Sequence, residues 1–479
     1  MKRPHAARLT LVTALALLIG ACSSRTETRE GPAAAVHNLT GAHTRVVWVQ
    51  HDGSDPFAQL DNLVLMGFDT DDERGERVIR REPGSYVKPM LTPRGDRIIV
   101  SRRPNAVGGP QVFLADWEGT RFEQIASGFA LAVWQDPEDG REWVYAGSDN
   151  EREDQPYWFG TVTRFPVDDP AKREMVWNKS RVMSLRLSAD GRTAGGEFPW
   201  PNIGVAKLPN GPFQKLGEGC WASMTNVGSE LLWYLDGAHR NVTMVDVASD
   251  KRWTVSLNGA PGFKNPEVYH PRWTNHPRFL VLTGPYNQGG ENQVRSGGKQ
   301  TEVYLGRFSA DLSKVEAWAR VTHNDLGDGY PDVWIDRSQD AHPVPSSASL
   351  GPPAKADAED RSSADAPESG AERVVVEARL VRAGTIPTPQ SIAPYRNALV
   401  VNGYEVVKVL EGKYNEQRIQ VAQWAIRDVR VLAGARKEPG SVHRLTLERY
   451  DAHPELEGER LIDESEAADL PLYYDAGDN

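Results

Sequence analysis

The chain has 479 residues, 39% apolar and 25% charged, too long for one ordinary core and suited to two or three domains folding mostly as soluble protein. Lys and Arg number 55 against 66 Asp and Glu, a net charge of −11, which argues against nucleic acid as the main partner. The two cysteines, Cys22 and Cys220, exclude a disulfide framework and a zinc site built on four cysteines. The 43 Gly, 33 Pro and 14 Trp fit short strands and many turns better than a helical bundle.

The N-terminus reads as an address. Lys2, Arg3 and Arg8 precede an apolar run, Leu9 to Ala21. At about 13 residues the run is too short for a permanent span and suits a signal-peptide core. Ile19-Gly20-Ala21-Cys22 resembles the lipobox of bacterial lipoproteins. The resemblance implies a signal peptide over 1–21 and a lipidated Cys22 as mature N-terminus, held on a membrane by its acyl chains. Ser23 and Ser24 follow with no Asp beside the cysteine, which by the same resemblance implies the outer membrane, facing the periplasm. Residues 22–43 read as a flexible polar tether.

A repeat occupies 44–337. Each copy is a short strand, a turn, a second strand, a polar loop and a third strand. Pro89 to Ser101 followed by Gln111 to Asp116 is the clearest, with others at Ser184 to Thr193 and Pro271 to Leu282. Copies begin about 37 to 61 residues apart, the length of a four-stranded propeller blade with variable loops. Asp190-Gly191 is a hairpin turn, and Ile98-Ile99-Val100 is an apolar run for a strand buried on both faces. Arg45 to Gln50 looks like a second strand without a first, and Pro331 to Asp336 like a first strand without a blade. The last strand therefore completes the first blade, giving six. The pattern resembles the TolB-type and WD40-like (PD40) propeller repeats of bacterial envelope proteins.

Residues 338–372, rich in Pro, Ala, Ser and Asp, read as a disordered linker. Strands return over 373–479, as in Val374 to Val381, Ala398 to Leu410 and Arg418 to Ile426, and predict a small β domain, OB-like or a sandwich. The fold class is thus all-β, a six-bladed β-propeller followed by a small C-terminal β-barrel or sandwich domain.

In a propeller, the loops between second and third strands and those entering each first strand meet around the channel mouth. The ligand candidates there are His51, Arg102, Arg103, Trp200, His239, Arg240, His270, Tyr286, Arg295 and Lys299, with Lys88 and Tyr330 in entering loops. Rings stack on sugars and Arg grips carboxylates, so the expectation is a non-catalytic binding or scaffold module for an envelope protein or a glycan. The alternative is a polysaccharide lyase or hydrolase using His51, His239 and His270 with arginines. No catalytic residue is assigned, and no cofactor or metal is expected. Gly-x-Ser-x-Gly is absent, which removes a serine hydrolase. Asn324 to Asp332 reads as an Asp/Gly turn, Cys220 as a buried thiol, and Asp69 to Glu73 as a solvated turn.

Overall fold

The computed structural model describes residues 31–479 except 55–57, 59, 151–155, 226–229, 236–238, 258, 261–266, 287–300, 340–341, 343–349, 353–372, 390–391, 393–396, 428–429, 454–455, 457–458, 463–469 and 478–479. The expected signal peptide, Cys22 and most of the expected linker lie outside the described residues.

Apolar strands of four to nine residues, separated by Gly, Pro and Asp turns, pair into six four-stranded antiparallel sheets. Their innermost strands are Gly327–Ile335, Tyr86–Leu91, Phe129–Gln135, Ser184–Leu187, Cys220–Met224 and Glu267–Trp273, for blades one to six. Gly327–Ile335 comes last in the propeller and pairs antiparallel with Thr44–His51, setting Val333 opposite Val46. Ring closure therefore joins the two ends of the repeat region, as the unpaired end strands predict. Each sheet is apolar on both faces and is buried chiefly by its neighbours. Trp48, Trp177, Trp233 and Trp273 are fully buried among them.

Residues read as tether depart from expectation. Pro32–Thr40 forms a helix, with Val36, Leu39 and Thr40 buried. Val36 and Leu39 join Trp48, Phe68, Phe279 and Val303 in one cluster, so the helix covers the seam between the first and last blades. Its alanines favour helix, and the i, i+3 spacing of Val36 and Leu39 puts both on one face. Within the expected linker, Leu350 is buried in the cluster of blades five and six, and Gly351 N–H donates to Asp311 at 2.6 Å. Asp69 is not a solvated turn residue: it is buried and accepts from Arg45 Nε at 2.8 Å.

The C-terminal strands form a barrel, not a sandwich. Val374–Arg382 pairs with Ala398–Glu411 and with Val442–Arg449. Ala398–Glu411 also pairs with Arg418–Arg427, which runs parallel to Leu472–Asp475. Leu472–Asp475 returns to Val442–Arg449 and closes a five-stranded ring, the OB-like arrangement. Val376, Ala378, Leu380, Tyr404, Val421 and Leu447 fill it.

Candidate functional site

Five of the six innermost strands break register near the channel mouth. The breaks fall between Val87 and Met90, Ala130 and Ala132, Cys220 and Ser223, and Tyr269 and Arg272, with a fifth where Thr44–His51 meets Gly327–Ile335. A bulge re-aims the side chain at its centre. Four of the bulge residues adopt the left-handed region: Lys88 (φ 48°), Trp221 (56°), His270 (48°) and Tyr330 (49°). Three of them precede a proline: Lys88-Pro89, His270-Pro271 and Tyr330-Pro331. Proline lacks the N–H that a ladder needs, which suits a bulge, yet it also disfavours a compact conformation in the residue before it.

These four side chains line one cavity of about 90 Å³. Tyr330 lies 3.9 Å from His270, and Trp221 5.4 Å from His270, between ring centroids. Lys88 Nζ sits 5.5 to 5.7 Å from the ring centroids of Phe129, Tyr157 and Trp221. Glu197 lies behind this wall, accepting from Trp221 N–H at 2.8 Å and Ser184 Oγ at 2.9 Å. Its burial raises its pKa despite the nearby Lys88 charge.

Below the rings the lining becomes polar. Arg186 of blade four crosses to blade six and donates to the carbonyls of Trp273 and Thr274. Arg272 of blade six donates to Pro89 O of blade two at 3.1 Å and lies 3.6 Å from Asp332. Asp332 also accepts from Leu91 N–H at 2.8 Å. These contacts tie blades one, two, four and six together across the cavity. Burial lowers Lys88 to about 8 and Arg186 to about 10, and raises Asp332.

The expected ligand residues separate into groups. His51, His239, His270 and Tyr286 are buried. Tyr286 Oη lies 3.2 Å from Thr283 Oγ1, which lies 3.2 Å from His270 Nδ1. His239 stacks on Tyr269 at 5.4 Å. Burial, with a smaller contribution from the charge of Arg460 on the strand Arg460–Ile462 beside the barrel, holds His239 down at about 4. Burial also pushes His270 well below the ordinary range, with Lys88, His51 and His239 adding to the effect. Trp200 Nε1 donates to Cys220 Sγ at 3.3 Å, and that thiol is only partly buried. Arg102 reaches Val107 O at 3.1 Å and Arg103 pairs with Asp61 at 2.9 Å, both on the rim. Arg240 is half-buried. Arg295 and Lys299 lie outside the described residues.

The three histidines do not converge as a metal-ligand set among the described residues. The group that does is His43, Asp69 and Asp71, at the other end of the Thr44–His51 strand, where His43 and Arg45 already bind Asp69. The lyase or hydrolase alternative gains no support from this geometry. Sequence reasoning placed Lys88, His270 and Tyr330 in loops, whereas they belong to the innermost strands. It missed Trp221, Arg186, Arg272 and Asp332. Aligning Lys88-Pro89-Met90, Ser184-Leu185-Arg186, Trp221-Ala222-Ser223, His270-Pro271-Arg272 and Tyr330-Pro331-Asp332 would have exposed both layers, the bulge position and the position two residues on.

The fold and site define a six-bladed β-propeller with an aromatic and basic channel, joined to a small barrel. No protein-family model and no curated protein sequence matches the chain. Among solved structures it is similar to TolB from Acinetobacter baumannii, at 14% identity and a TM-score of 0.42 over 63% of this chain and 70% of that one. It is also similar to Kuenenia stuttgartiensis hydrazine synthase, at 10% identity and 0.42 over 74% and 59%, and to a chain of a nidogen/laminin complex, at 14% and 0.32 over 44% and 92%. The propeller itself rests on the strand pairing described above.

Proposed function

We propose that this chain is an envelope lipoprotein whose propeller is a non-catalytic binding module, taking a protein or glycan partner at the channel mouth. One observation carries this reading: bulges in successive innermost strands hold Lys88, Trp221, His270 and Tyr330 around a single cavity, all left-handed. Such backbone costs about 1–3 kcal/mol per residue and clusters at ligand clamps and active sites. A clamp fits better than an active site. Both oxygens of Glu197 are engaged in holding the wall, and His270 Nδ1 lies 3.2 Å from the Thr283 hydroxyl.

The lipobox resemblance supports an anchor at Cys22 and a place on the outer membrane facing the periplasm. The acidic balance supports a partner other than nucleic acid. Capture of envelope proteins and glycans by the chain and by Trp221→Ala, Trp200→Ala and Arg295→Ala variants tests the module. Loss of the specific partner with Trp221→Ala supports the channel mouth. Undiminished capture by all three variants discards it. Release of a Cys22→Ala chain from membranes would support the anchor, and unchanged membrane association would remove it.

A further inference from the structure

The cavity carries Lys88, Arg186 and Arg272 against a single carboxylate, Asp332, in a chain whose net charge is −11. Asp332 is committed to Arg272 and to Leu91 N–H. Arg186 meets only backbone carbonyls and makes no ion pair among the described residues. Lys88 makes neither hydrogen bond nor ion pair there. It faces three rings and feels Glu197 from behind the wall. Both remain cationic near neutral pH, since burial lowers them only to about 8 and about 10. A buried cation without a counter-charge is costly, and a ligand that supplies the counter-charge recovers that cost on binding.

Resting on the binding reading above, we propose that the ligand delivers a carboxylate into this cavity, between Lys88 and Arg272, borne on an acidic peptide segment that enters from the mouth. Much of the lining is apolar, with Met90, Leu91, Leu131, Val133 and Leu185, which suits the methylene stem of a carboxylate side chain better than a sugar ring with its hydroxyls. Ser184 and Ser223 add hydroxyls to the lining, and Trp221 and Tyr330 flank the stem with apolar surface.

The test is chemical protection of Lys88 in the full chain. A small amine-acylating reagent is applied at matched ionic strength, and modification of each lysine is read by mass spectrometry. The competitors are Gly-Glu-Gly and Gly-Gln-Gly, both N-acetylated and C-amidated so that the Glu side chain is the sole carboxylate and no free amine consumes the reagent, and digalacturonate. The expected result is that Gly-Glu-Gly slows acylation of Lys88 and of no other lysine, while Gly-Gln-Gly does not. Arg272→Gln should raise the half-protecting concentration about tenfold, the weight of one charge-assisted hydrogen bond, and Arg272→Lys should restore part of it. Equal protection by the two peptides, or none, overturns the carboxylate. Protection by digalacturonate alone overturns the peptide. Partner capture that depends on Trp221 but ignores Lys88→Met leaves the binding module standing and removes this inference.

Discussion

At Lys88 the backbone takes φ 48° ahead of a proline, where glycine is at ease and other residues are strained. In an ordinary strand glycine is less stable than alanine by about 0.5–1 kcal/mol. At this position the order should reverse: Lys88→Gly should exceed Lys88→Ala in urea stability by about 1 kcal/mol. Alanine proving the more stable would remove the strain. Asp328 offers a second residue-scale check. It is wholly buried and accepts from Trp48 Nε1 at 2.7 Å and Gln50 Nε2 at 3.0 Å. Burial raises its pKa from 3.8 to about 7. The folded state thus holds this proton where the unfolded chain has lost it, so the Asp328 contribution falls as pH rises through that window. Asp328→Asn should flatten the pH dependence of stability there, and an unchanged slope would assign it to other groups. Neither feature was legible in sequence. Lys, Trp and Tyr do not favour left-handed backbone, and Asp328 sits among acids and glycines that read as a turn until Trp48 is brought over it.

At the scale of elements, the blades were legible because each turn names itself, as Asp190-Gly191 does, and each apolar run needs a neighbour. The closing strand was legible for the same reason: Val333 to Ile335 is too apolar to stand outside a sheet. The helix Pro32–Thr40 was not. Nine residues are marginal as an isolated helix, and only Val36 and Leu39 mark its buried side, so its stability comes from the seam it covers. Leu39 is 6% exposed in that cluster. Leu39→Ala should cost about 2–4 kcal/mol in chemical denaturation, the range for a truncated core leucine. A change near zero would detach the helix from the ring.

Over the whole molecule, the ring gathers side chains that lie far apart in sequence. Lys88, Arg186, Trp221, His270, Arg272 and Tyr330 come from five blades and meet in one cavity. The interior was not legible in sequence, because it depends on which strand positions the bulges turn inward. The barrel shows the same limit: its strands were readable, but their order, with Arg418–Arg427 parallel to Leu472–Asp475, is a long-range matter that β propensity does not encode. Arg460, from the strand beside that barrel, acts electrostatically on His239 at the mouth.

Tyr330 and Trp334 share the innermost strand Gly327–Ile335. Tyr330 lines the cavity, while Trp334 reaches Pro93 O in the turn at the far end of the neighbouring blade, at 2.9 Å. A photo-crosslinking residue placed at each position in turn, in the full chain bound to its captured partner, compares the two ends of the channel directly. A channel-mouth binding module should cross-link the partner from position 330 and not from position 334; cross-linking from 334 alone, or from neither, would contradict it.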